Sequence, residues 1–202
     1  LKCTASGKLL DIGTGTGLLS LMIRQKNNLA IEAIEIDEPT AVQAATNVAA
    51  SPWPNAISII QGDVLQLEED KKYNYIISNP PFYEGDLQSP DAKRNTAHHG
   101  NLLTLNKLLD IIMQHLECNG LFFLLLPFKR KKELEALVTE MGLNIYKELV
   151  LYQTGKHGPF RLMVQGGNDK REKQSDTLVI ADNTNQYTPA FISLLADYYL
   201  NL

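Results

Sequence analysis

Short apolar runs of strand length alternate with helical stretches along this chain, and that rhythm restricts the fold more than any other feature. Lys8-Leu9-Leu10-Asp11-Ile12 reads as a short buried strand, followed by glycines and an apolar helix from Leu18 to Gln25. Ile31 to Ile36 is a second strand; Pro39 then opens an alanine-rich helix, Thr40 to Ala50. Proline suits a helix start, where its missing N–H is not needed. Ser51-Pro52-Trp53-Pro54 breaks the chain before a third strand, Ile57 to Gln61, and Tyr73 to Ser78 is a fourth. Residues 81–100 form a polar loop, and loops of that length are usually functional. Next come a helix (Leu102 to Leu116), a fifth strand (Leu121 to Leu126) and a charged helix (Lys129 to Met141). Leu143 to Tyr152 and Phe160 to Val164 pair as a hairpin across Gly155-Lys156-His157-Gly158. Thr177 to Ala181 is a further strand and Pro189 to Leu200 an amphipathic terminal helix. This alternation implies an α/β fold, a mainly parallel sheet with helices on both faces. No repeat or linker interrupts it, so residues 1–202 read as one domain.

The composition is that of an ordinary globular chain, 44% hydrophobic and 21% charged. No apolar stretch approaches the roughly 20 residues that span a bilayer. Leu1-Lys2-Cys3 does not read as the charged start of a signal peptide, and Cys3 and Cys118 lack metal-ligating neighbours in sequence; free thiols in a cytoplasmic monomer are expected, without signal peptide, metal or membrane. The net charge of −4 is unevenly placed. Residues 1–90 carry 6 Lys/Arg against 11 Asp/Glu, and residues 91–202 carry 13 against 12. Basic clusters stand at Lys93-Arg94, Lys129 to Lys132 and Lys170-Arg171.

Asp11-Ile12-Gly13-Thr14-Gly15-Thr16-Gly17 follows the first strand and opens a helix. Its spacing is GxGxG rather than the GxGxxG of dinucleotide sites. Asp11 suits a ligand carrying an ammonium group better than a pyrophosphate. Glu35 ends the second strand and suits the two hydroxyls of a ribose, with Asp37 as the alternative. Asp63 ends the third; it is either a helix N-cap or an acceptor for an adenine amino group, with the backbone N–H of Val64 serving a ring nitrogen. Three successive strands ending in acids favour a shared ligand beyond their carboxyl ends. The fourth strand ends in Ser78-Asn79-Pro80-Pro81-Phe82. A carboxamide, two stiff prolines and an aromatic ring suit a clamp on a planar amino group.

Asp11 to Gly17, Glu35, Asp63 and Asn79 to Phe82 resemble, in order and spacing, the motifs of the class I S-adenosylmethionine-dependent methyltransferases. The resemblance implies a Rossmann-like, mainly parallel seven-stranded sheet with an antiparallel hairpin strand and helices on both faces. It implies S-adenosylmethionine as cofactor, held by Asp11, Gly13, Gly15, Gly17, Glu35, Asp63, Val64 and Asn79. It also implies methylation of a planar amine, with Asn79, Pro80 and Phe82 catalytic. The Ser89-Pro90-Asp91-Ala92-Lys93-Arg94 stretch, His98-His99 and the ending Tyr187-Thr188-Pro189-Ala190-Phe191 are similar to the bacterial tRNA(Val) adenine-N6 methyltransferases, which act on adenosine 37. That family implies tRNA as partner. Pro81, Lys93, Arg94, His98, Lys129 and Arg130 are the expected RNA contacts, and His157 and Arg161 secondary candidates. The family carries a further segment before the first strand, and its contribution is expected to be missing from this chain. A protein glutamine-N5 methyltransferase, an NAD-dependent oxidoreductase and a non-catalytic RNA-binding module are the competing readings. The Ser-Pro-Asp loop and the terminal Tyr187-Thr188-Pro189 segment weigh against the first, and the GxGxG spacing, Asp11 and Asn79 to Phe82 against the second; the third predicts that Asn79→Ala leaves function intact.

Overall fold

The computed structural model describes residues 6–80 and 103–199. Eight strands form one sheet: β1 Lys8–Ile12, β2 Ala30–Glu35, β3 Ile57–Gln61, β4 Tyr73–Ser78, β5 Leu116–Pro127, β6 Asn144–Thr154, β7 Pro159–Gly167 and β8 Gln174–Ala181. The helices are α1 Leu18–Lys26, α2 Glu38–Ala49, α3 Leu105–His115, α4 Lys131–Glu140 and α5 Pro189–Leu195. The strand order is β3-β2-β1-β4-β5-β7-β6-β8. Strands β3 to β5 run parallel to one another, β7 is antiparallel to β5 and β6, and β8 is parallel to β6.

Alternate residues of the central strands point to opposite faces, and both faces are covered. Leu10, Ile12, Ile34 and Ile76 pack with Leu108 and Ile112 of α3 and Leu134 and Val138 of α4. Leu9, Ile31, Ala33 and Ile77 pack with Ile23 of α1 and Val48 of α2 on the other side. Burial on both faces is why these strands read as nearly continuous apolar runs.

The structure departs from the sequence reading in three places. The sheet has eight strands rather than the seven that the resemblance implies; the eighth, through Thr177–Ala181, pairs with β6 as an edge strand. Strand β5 begins at Leu116, where Tyr73 pairs with it, and the ladder resumes at Tyr75↔Leu121 after an irregularity that takes up the intervening residues. Helix α5 stops at Leu195, and beyond it Asp197 turns back to α1, meeting Lys26 Nζ at 2.6 Å and accepting Gln25 Nε2 on its carbonyl at 3.1 Å.

Two features of the β5–β8 half set its stability. Gly166 pairs with Phe122, and a Cβ on it would stand 2.3 Å from the Phe122 ring and 2.5 Å from the Asn144 carbonyl oxygen. Gly166→Ala is therefore expected to cost about 1–3 kcal/mol through overpacking, read as a lowered urea midpoint. Glu148 of β6, 6% exposed, meets Lys131 Nζ at 2.7 Å and Lys173 Nζ at 3.0 Å. Burial pushes its carboxyl up, but the ammonium groups of Lys131 and Lys173 outweigh it and hold the pKa below its ordinary 4.5. A depressed carboxyl stabilises the fold at pH above the ordinary value, and that contribution fades as the pH falls through the folded value. Glu148→Gln is expected to lower stability at pH 7 and to flatten the loss of melting temperature below pH 4.5, measured by thermal melts across that range.

Candidate active site

Four consecutive positions in the sheet, β3-β2-β1-β4, end at one edge, and the direction of strand succession reverses between β1 and β4. Open parallel sheets bind ligands at such a reversal, beyond the carboxyl ends of the strands. The sequence candidates within the described residues stand along this edge.

The β1–α1 turn is held from two sides. Gly13 N–H and Thr14 N–H donate to the Ile34 carbonyl at 2.9 and 3.2 Å, which ties the turn to the end of β2. Gly13, Gly15 and Gly17 have φ of 70°, 58° and 82°, a left-handed backbone that other residues enter at a cost. A Cβ on Gly13 or Gly15 would meet nothing within 4 Å, so the glycines leave room for a ligand against the backbone.

Asp11 is turned into the protein, not toward that space. It is 1% exposed, and its Oδ2 accepts hydrogen bonds from Thr14 Oγ1 and Ser20 Oγ, both at 2.7 Å. Burial raises its pKa; the Ser20 and Thr14 hydroxyls oppose that rise and the Glu35 charge adds to it. The carboxylate thus stitches the turn to the first turn of α1. The sequence offered only Asp11; its hydroxyl partners, three and nine residues on, were missed.

Glu35 is the hub of the edge. Its Oε2 accepts Gly15 N–H at 2.9 Å, its Oε1 accepts Asp37 N–H at 3.0 Å, and its carbonyl accepts Gly62 N–H at 2.9 Å. A carboxylate accepts about four hydrogen bonds, so two backbone donors leave acceptor capacity for a diol. Asp37 caps α2, accepting from Thr40 N at 3.1 Å and Thr40 Oγ1 at 2.5 Å, and this favours Glu35 between the two acids considered. Asp63 Oδ1 accepts Leu65 N–H at 3.0 Å and caps a short 3₁₀ turn, Val64–Gln66, whose Val64 side chain is buried. Ile36, next to Glu35 and 37% exposed, is an apolar surface at the same edge that the sequence reading passed over.

Ser78, buried at the end of β4, donates its hydroxyl to the Ile12 carbonyl at 2.8 Å. That bond joins the last residues of two neighbouring strands, paired Ile12↔Ser78, and so sets Asn79 and Pro80 beside the glycine turn. Asn79 is exposed and Pro80 buried. Pro81, Phe82, Lys93, Arg94 and His98 lie outside the described residues.

The basic candidates after β5 divide. Lys129 and Lys132 are exposed. Arg130 is 7% exposed and clasps Glu133 with Nε and Nη2 at 2.9 and 2.6 Å, which turns its guanidinium inward. Lys131 is engaged with Glu148. Lys170-Arg171 stands at the opposite edge, between the end of β7 and the start of β8. Among the described residues no group of His, Cys, Asp and Glu could hold a metal ion, and no helix is long and apolar enough to cross a membrane.

Comparison with known proteins agrees with this geometry. Residues 1–125 match the family model described as "Methyltransferase small domain". A tRNA1(Val) (adenine(37)-N6)-methyltransferase of Bacteroides fragilis is 32% identical over 202 residues, covering 98% of this chain and 85% of that protein. One of the same name from Histophilus somni is 34% identical over 199 residues, covering 96% and 82%. Among solved structures, a predicted O-methyltransferase from Agrobacterium tumefaciens superposes with a TM-score of 0.72 at 13% identity, over 95% of this chain and 88% of that one. A glycopeptide N-methyltransferase complexed with S-adenosylmethionine superposes with a TM-score of 0.61 at 13% identity, over 83% and 90%. These structural likenesses carry the class I methyltransferase fold. With a glycine turn, a strand-end carboxylate hub and an Asn-Pro pair on one edge, the chain belongs to the methyltransferase small domain family and, within it, to the family of the tRNA1(Val) (adenine(37)-N6)-methyltransferases.

Proposed function

We propose that this protein is an S-adenosylmethionine-dependent methyltransferase acting on N6 of an adenine in tRNA, adenosine 37 of tRNA(Val), through one methyltransferase domain over residues 1–202. The observation that supports the reading most is the Ser78–Ile12 bond, which ties the residue before Asn79 to the strand that leads into the glycine turn. The relatives' names give the substrate, and a tRNA substrate implies a cytoplasmic reaction.

The edge fits the cofactor. The open side of Gly13 and Gly15 admits a ligand, Glu35 retains acceptor capacity for ribose hydroxyls, and Val64 N–H with Asp63 suits an adenine ring. Bound there, S-adenosylmethionine supplies an electrophilic methyl group on a sulfonium. Asp11 acts on the ligand through the turn it stitches, with Thr14 and Ser20. Asn79 and Pro80 handle the accepting amine. The Asn79 side-chain oxygen and the Pro80 carbonyl accept its two N–H bonds, which counters delocalisation of the nitrogen lone pair into the ring and orients it. A base entering this site has left its stack, a cost lowered in an anticodon loop. Phe82 supplies a stacking face, worth about 1–3 kcal/mol per base in single-strand binders.

Incubation with S-adenosylmethionine labelled in its methyl group, with bulk tRNA and with a release factor as alternative acceptors, tests the reading. Label in tRNA is expected; label in the protein acceptor alone would sink it in favour of glutamine-N5 methylation.

A further inference from the structure

We infer that the β6–β7 turn and the start of β7 form a grip on the RNA backbone, in which His157 and Arg161 hold phosphates flanking the target adenine. This rests on the tRNA reading above. Placement is the first support. Strand β6 runs parallel to β5 and β7 runs back against both, so residues 155–158 open at the same edge as Asn79. Ser78 pairs with Leu124, and Pro127, three residues further along β5, pairs with Arg161. At about 3.3 Å per residue and 4.8 Å per strand, Arg161 stands on the order of 14 Å from Ser78. A few nucleotides span that distance.

The side chains are prepared for phosphate. Arg161 is exposed, and its guanidinium lies 5.8 Å from the centroid of the Phe160 ring. Cation–π attraction to the ring leaves the guanidinium N–H groups available, and those are the groups that meet phosphate. Phe160 is itself 37% exposed and offers a face to an unstacked base. His157 is exposed, and its Nδ1 is 2.6 Å from the buried Thr154 Oγ1. That hydroxyl also accepts Lys156 N–H at 3.3 Å, so it ties both the His157 ring and the turn backbone to the end of β6. With Nδ1 engaged there, Nε2 is the ring nitrogen on the side away from Thr154, turned to solvent or to an anion. Residues 155–161 contain no acid, and Lys156 adds a further positive charge. A turn needed only for shape would require none of these donors.

The test uses the full-length protein and a tRNA(Val) transcript, with His157→Ala, Arg161→Ala and, as a charge-matched control at the opposite edge, Lys170→Ala. Each of the first two is expected to raise KM for tRNA about threefold to tenfold, and Arg161→Ala also to reduce the slope of log affinity against log salt by about 1. In both, kcat and the calorimetric affinity for S-adenosylhomocysteine are expected to stay unchanged, and Lys170→Ala to behave as wild type. An active wild-type protein whose His157 and Arg161 variants keep its KM and salt slope overturns the grip alone. A wild-type protein that binds S-adenosylhomocysteine but neither binds nor methylates tRNA overturns the substrate reading, and the grip with it.

Discussion

Asn79→Ala is expected to lower kcat for tRNA methylation by about 10²–10³ while leaving affinity for S-adenosylhomocysteine nearly unchanged. The magnitude is that of removing one preorganised hydrogen-bonding group from a reacting centre. The separation of effects follows from the fold. Asn79 directly follows β4, whose end is fixed to β1 by Ser78, while the turn that would hold the cofactor is fixed to β2 through Ile34 and Glu35. Removing the carboxamide therefore takes an acceptor from the amine without loosening the turn. Single-turnover kinetics alongside calorimetry would read both effects. Equal losses in affinity and turnover would mean that Asn79 serves the cofactor more than the amine.

Glu35→Ala is expected to do the opposite, weakening S-adenosylhomocysteine binding by about tenfold to a hundredfold. A hydrogen bond to a charged group contributes about 1.5–3 kcal/mol, and each 1.4 kcal/mol is a factor of ten. The substitution also releases Gly15 N–H and Asp37 N–H, so the turn and the start of α2 lose a common anchor. Glu35→Gln keeps one acceptor oxygen and places an amide facing those donors. It is expected to fall between alanine and wild type, whereas a packing role alone would leave it like wild type. Titration of each variant with S-adenosylhomocysteine gives the order.

Much of this edge was legible because its geometry admits few residue types. The left-handed φ at Gly13, Gly15 and Gly17 shows in a sequence as glycine spacing. Acids at strand ends show because strands and loops differ in polarity, which exposed Glu35 and Asp63. What stayed hidden depends on partners distant in sequence or on side-chain direction. Asp11 reads the same whether it faces a ligand or Ser20. Arg130 in a basic run reads as surface until Glu133 is seen to clasp it. The early start of β5 depends on Gly120, where a Cβ would stand 2.7 Å from Leu116 Cδ1, a constraint invisible without the fold. The eighth strand is only half-buried along its second half, so its apolar pattern is short and its pairing with β6 is tertiary.

Nucleoside mass spectrometry of tRNA(Val) from cells lacking this protein tests the function most directly. N6-methyladenosine at position 37 is expected to disappear and to return when the wild-type chain, but not Asn79→Ala, is supplied. An unchanged nucleoside profile in the deleted cells would contradict the assignment of this edge to tRNA adenine methylation.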